Sequence, residues 1–198
     1  SGHRFLRTWR DDAGNIVEEY SQVWDGMGWV NLHKTTYTWQ TIITPTEVTR
    51  YYDVSGKWNM VSVALDVTDH SKSALFPTSV GNAFAFDAGY VASPMLENGK
   101  GYWLKFDTSQ TVSVTGVVLT EDTVDVVGGW NMVGSIGVPI PAARVGSIPG
   151  GLVSSSFFGF NEGYQASATI EPGKGYWVKM AEAGKLVFSS TGNVPVAS

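Results

Sequence analysis

Hydrophobic and polar positions along this chain alternate in short runs, and no run of helical period is sustained. Residues 4–10, 16–24 and 29–39 read as three strands of a meander. They are separated by Asp11-Asp12-Ala13-Gly14-Asn15 and Asp25-Gly26-Met27-Gly28, which carry turn chemistry. On the third strand, strict alternation places Trp29, Asn31, His33, Thr35, Tyr37 and Trp39 on one face. From about residue 46 onward the pattern repeats itself. Trp58-Asn59-Met60-Val61 returns as Trp130-Asn131-Met132-Val133. Gly99-Lys100-Gly101-Tyr102-Trp103-Leu104-Lys105 returns as Gly173-Lys174-Gly175-Tyr176-Trp177-Val178-Lys179. Between them, Phe86-Asp87-Ala88-Gly89-Tyr90 matches Phe160-Asn161-Glu162-Gly163-Tyr164. A near-identity of seven residues carrying two aromatics is a duplication, and such repeats set the architecture.

Each copy predicts the same order of elements. A leading strand (48–54; 123–127) and a Gly-containing turn precede a strand opening on the tryptophan (58–65; 130–136). That strand is apolar on both faces, as expected of one held between two layers. A single helical turn follows, which Asp69 or Ser71 would cap in copy one and Pro141 would open in copy two. A hairpin (83–86 and 90–92 in copy one), the Gly-Lys-Gly-Tyr-Trp strand and a Val/Ser/Thr strand complete the unit. The expected fold is all-β: an aromatic-rich meander over 1–45, homologous units over 46–119 and 120–192, and a tail over 193–198. A unit of about 73 residues buries little surface alone. The two are therefore expected to pack together, as a sandwich or a pseudo-symmetric barrel pair. Trp58, Trp103, Trp130 and Trp177 are assigned to the core.

Composition narrows the function classes. Hydrophobic residues make up 43% of the 198 positions and charged residues only 16%, which excludes disorder. The net charge of −5 and the absence of any basic run argue against nucleic acid. No apolar run approaches the ~20 residues of a membrane-spanning helix, so no membrane insertion is expected. There is no cysteine, and hence no disulfide, thiolate metal site or cysteine nucleophile. No signal peptide is visible. Ser1-Gly2-His3 reads as an expression scar on a fragment of a longer protein.

The repeated strings resemble the tandem GWNLISLP…GKGYWVK unit of large exported bacterial and archaeal surface and secreted proteins. The first segment, with Asp-x-x-Gly-Asn-Ile-x-Glu and Trp-Asp-Gly-x-x-Trp-Val-Asn, resembles an exported aromatic β-repeat found ahead of sorting domains. The resemblance implies a secreted or cell-surface location, neighbouring domains in a larger chain, and an accessory role.

Catalytic motifs are missing: there is no Gly-x-Ser-x-Gly elbow, His-Glu-x-x-His or phosphate loop. The paired acids Asp11-Asp12, Glu18-Glu19 and Glu121-Asp122 are sequence neighbours, which point to opposite faces of a strand or sit in turns. They do not flank a glycosidic bond as a hydrolase requires. Asp66 and Asp69 are the nearest approach to a metal pair, but calcium takes six to eight oxygens and a helix cap explains Asp69. No catalytic residue and no cofactor is assigned. The candidate ligand surface is the meander face, with Trp24, Trp29, Asn31, Tyr37 and Trp39. Flat rings flanked by amides suit the C–H faces and hydroxyls of a sugar, so the expected partner is a polysaccharide or cell-surface glycan. The alternatives are a structural spacer with no ligand and, behind it, a glycoside hydrolase.

Overall fold

The computed structural model describes residues 4–10, 16–36 and 45–191. The chain divides into two compact units, Ser1–Thr44 and Pro45–Ser198. Both are built of antiparallel sheets, none of which closes into a barrel among the described residues.

The first unit is a three-stranded meander of β1 (Arg4–Arg10), β2 (Ile16–Trp24) and β3 (Trp29–Thr36), in that order. Asp25 closes the second hairpin: its carboxylate accepts the N–H groups of Met27 and Gly28 at 2.8 and 2.9 Å. Those bonds hold its pKa below the ordinary carboxylate value. The strict alternation expected on β3 does not hold. Gln22 pairs with Asn31 but Ser21 pairs with His33, so Leu32 is an extra residue, a β-bulge. Beyond it the faces exchange. Trp29 and Asn31 share a face with Trp24, Gln22 and Lys34, while His33 and Thr35 lie on the other. The Lys34–Glu18 ion pair at 2.6 Å fixes that assignment. No residue of this unit whose side chain is described is buried.

The second unit contains two β-sandwiches. Copy one comprises β4 (Glu47–Val54), β5 (Lys57–Ser62), β6 (Leu65–Asp66), helix α1 (Lys72–Leu75), β7 (Val80–Phe86), β8 (Tyr90–Ser93), β9 (Gly101–Phe106) and β10 (Gln110–Val118). Its sheets run β4-β10-β6 and β5-β9-β7-β8. Between them lies a core that includes Leu65, Phe76, Leu96, Tyr102, Leu104 and Phe106. The strand expected over 58–65 breaks after Ser62, and its end crosses as β6 to the other sheet. Ser71 caps α1 by accepting from Ala74 N–H, while Asp69 accepts from Ser71 N–H at 2.8 Å.

Copy two comprises β11 (Glu121–Val126), β12 (Gly129–Val133), β13 (Ile140–Pro141), a 3-10 turn (Ala142–Arg144), β14 (Gly146–Ile148), β15 (Phe157–Phe160), β16 (Tyr164–Ser167), β17 (Thr169–Ile170), β18 (Tyr176–Met180) and β19 (Gly184–Ser189). Sheets β11-β19-β14 and β12-β18-β15-β16 enclose Ile136, Ile170, Tyr176, Val178, Leu186 and Phe188; the short pair β13-β17 completes the copy.

The copies meet through the outer faces of their four-stranded sheets, about an approximate two-fold axis. The exchange of partners shows the symmetry. Val61 bridges to Lys174 and Lys100 to Val133. Ser62 N–H donates to Gly173 C=O at 2.9 Å and Gly134 N–H to Gly99 C=O at 2.8 Å. Such reciprocal contacts are those of an isologous interface, here within one chain. A buried cluster of Met60, Trp103 and Met132 fills the seam.

Candidate functional site

The recurring motif residues separate into those that build the frame and those left over. Asn59 locks the turn before β5 by accepting Ser55 N–H and donating to Ser55 and Lys57 carbonyls. Asn131 repeats the pattern with Val127 and Gly129. The glycines flanking Lys100 and Lys174 let the copies approach. A Cβ on Gly101 would lie 2.7 Å from Val133 C=O, and one on Gly175 would lie 3.0 Å from Val61 C=O. Gly99 and Gly173 also adopt φ +75° and +79°, which favours glycine. The two lysines stay exposed. Tyr102 and Tyr176 point into their own cores, where each hydroxyl accepts one backbone N–H, from Glu97 and Glu171, at 2.8 Å. Burial pushes the Tyr102 hydroxyl up to about 12 and raises Tyr176 likewise.

What remains of the motif is a set of rings on the outer faces. The cross-strand pairs Phe84↔Trp103, Trp58↔Lys105 and Phe86↔Tyr90 place these residues on one face of copy one. Copy two does the same with Phe158↔Trp177, Trp130↔Lys179 and Phe160↔Tyr164. Across the seam, Trp103 meets Phe160 and Trp177 meets Phe86, each edge-on with centroids 4.8 Å apart. These two contacts exchange under the duplication.

The outcome is a pair of open aromatic troughs. One, of about 430 Å³, is lined by Trp58, Phe84, Trp103, Tyr90, Phe160 and Tyr164. The other, of about 480 Å³, is lined by the equivalents Trp130, Phe158, Trp177, Tyr164, Phe86 and Tyr90. Each floor belongs to one copy, and the hairpin end of the other copy forms its wall. Tyr90 and Tyr164 line both, so the troughs are contiguous. Neighbouring rings sit edge-to-face or tilted, as at Trp58–Phe84 (6.0 Å) and Trp130–Phe158 (6.0 Å). In that arrangement a ring meets its neighbour by an edge and keeps a π-face open. Burial, then the Tyr90 hydroxyl beside it, raises the pKa of Tyr164 above the ordinary phenol value.

Of the four tryptophans assigned to the core, Trp103 is there, and the assignment is corrected for Trp58 and Trp130. Trp103 is buried and Trp177 partly so, but at the seam rather than within a sandwich. Trp58 and Trp130 are 42% and 45% exposed. Of the meander candidates, Trp24, Trp29 and Asn31 do come together at one hairpin end. The two indoles pack edge-on at 5.7 Å, and Gln22 donates to Asn31 at 2.6 Å. Tyr37 and Trp39 lie outside the described residues. Asp66 pairs in β6 and Asp69 supports the helix cap. No three His, Asp or Glu side chains converge as a metal site among the described residues. Sequence reasoning missed the troughs, although the repeated Phe-x-x-Gly-Tyr and Tyr-Trp strings contain six of their ten rings. No known protein family, curated protein sequence or solved structure matches the chain.

Proposed function

We propose that this chain is a non-catalytic glycan-binding module of an exported protein, and that its ligand lies along the twin troughs rather than on the meander alone. One observation carries the reading: ten aromatic side chains from two copies line two contiguous open troughs with nothing but rings. Exposed apolar surface of this kind is costly to keep unless it is used. Ring faces take up the C–H faces of sugars, while Tyr90, Tyr164 and the indole N–H groups offer hydrogen bonds to hydroxyls. Lys105 and Lys179 share the face and keep its rim polar. The lining supplies no carboxylate pair of the sort that hydrolyses a glycoside, which supports binding over catalysis.

The test is affinity electrophoresis against soluble xylan, mannan, β-glucan and hydroxyethyl cellulose, with pull-down on cellulose and chitin. Retardation lost in Trp58→Ala/Trp130→Ala but kept in Trp24→Ala/Trp29→Ala supports the proposal. Retardation by no polymer, or lost only in the meander variant, overturns it. A second reading, a spacer between domains, is favoured by the meander. Its described residues include no buried side chain, the condition of a sheet that waits for a covering neighbour.

A further inference from the structure

Resting on the glycan reading above, we infer that the two troughs are halves of one site that binds a linear β-1,4-linked glycan without regard to its direction. The observation is the reciprocity of the seam. Every lining residue of one trough has its duplicate in the other, and Tyr90 and Tyr164 belong to both. Exposures match pairwise: 57% and 55% for Tyr90 and Tyr164, 42% and 45% for Trp58 and Trp130. A path runs from Trp58, across the tyrosine pair at the approximate axis, to Trp130. A polysaccharide has a reducing and a non-reducing end, and rotation about that axis interchanges them. A chain laid on the path in either direction therefore meets the same rings in the same order.

The class of glycan follows from the lining. An open trough of flat rings fits a ribbon rather than a coil. In a β-1,4-linked chain successive sugars are turned over, so both faces of the ribbon present similar C–H surface. Ring stacking reads that surface and not the position of individual hydroxyls, which would report direction. The copies supply no directional group to the lining: among the lining residues the only hydroxyls are those of Tyr90 and Tyr164, and these two exchange.

The experiment uses the whole chain, labelled with 15N at tryptophan, and cellohexaose and xylohexaose carrying a nitroxide at the reducing end. Trp58→Phe and Trp130→Phe assign the two indole N–H signals. With a hexaose that binds, both signals broaden to the same degree within about twofold, one hexaose binds per chain, and Trp58→Ala and Trp130→Ala each weaken binding by similar factors. Broadening of one indole alone means that the chain is read in a single direction. Two hexaoses per chain means that the halves are independent. Either result overturns the inference and leaves glycan binding standing. If neither hexaose nor any polymer binds, the functional reading falls and takes this one with it. If sedimentation instead shows a dimer that Trp58→Ala dissociates, the face belongs to a second copy of the chain and both are overturned.

Discussion

Copy one and copy two trace the same strands, yet they differ where they touch. At the axis copy one has Ser62 and copy two has Gly134. A Cβ on Gly134 would stand 3.1 Å from the Ser62 Cβ and 2.9 Å from Lys100 C=O. Only one side of the seam has room for a side chain there. The Ser62 hydroxyl uses it, bonding to Ser135 Oγ at 2.8 Å and to Lys174 C=O at 2.9 Å. Farther out, copy one packs Tyr52 over Gly173, while copy two packs the smaller Val124 over Gly99. Beside Val124 lies Asp122, with one carboxylate oxygen buried and lacking a hydrogen-bond partner. A pseudo-symmetric interface thus keeps its backbone contacts equal and breaks symmetry in side chains on and near the axis.

The largest effect is expected at the seam glycines. Gly101→Ala drives a Cβ to 2.7 Å from a carbonyl, against 3.0 Å for Gly175→Ala. Backbone cannot yield as a flexible side chain does, so Gly101→Ala costs about 3 kcal/mol, or ~6–12 °C in Tm. Gly175→Ala costs less; calorimetry showing equal losses would mean that the two sides of the seam are equally tight. Next come the trough tryptophans. Trp58→Ala and Trp130→Ala each lower affinity for a retained glycan about tenfold, or ~1.4 kcal/mol, with Tm nearly unchanged because both rings are exposed. Isothermal titration showing a loss at one site only would break the equivalence of the copies.

Asp122 gives a pH-dependent difference between the copies. Burial raises its pKa above the ordinary 3.8. The folded chain therefore holds this proton more tightly than the unfolded chain does. Its contribution is fully present below the unfolded value and is lost as pH rises through the folded one. Asp122→Asn is expected to raise Tm at pH 7 and to leave it unchanged near pH 3. A Tm difference that is the same at both pH values would show that ionisation is not the cause. The smallest effect is at the hairpin tips, where Ala88 and Glu162 both take a left-handed φ, +51° and +56°. Replacing either by glycine relieves a cost of about 1 kcal/mol, partly offset by glycine's own entropy. Equal rises of about 1–2 °C are expected, and unequal ones would show that the tips are held differently.

Much of this fold was legible because its signals are local. Turn chemistry at Asp25–Gly28, alternation in β1 and β2, and the repeated strings all act within one strand or hairpin. The bulge at Leu32 was not legible. An added residue changes nothing in the pattern of β3 itself, but it reverses every face beyond it. The troughs were illegible for a related reason. Alternation in Gly-Tyr-Trp-Leu-Lys says that Tyr102 and Trp103 face opposite ways, and both faces of β9 are covered. Which ring meets its own core and which meets the other copy depends on contacts between segments far apart in sequence, Trp103 with Phe160 and Phe86 with Trp177. Trp58 and Trp130 looked like core because they recur with the architecture, yet their duplication reflects the shared surface.

The reciprocal bridges also set a timetable. Val61 must wait for Lys174, 113 residues later (174 − 61). At 5–20 residues per second of synthesis that interval is about 6–23 s. During it, the first sandwich can close around its own core, but the face carrying Met60 and Trp103 has no partner. A ribosome delivering this chain therefore presents, for many seconds, a sticky half-interface equally complementary to a late second copy from its own chain and to one from its neighbour's.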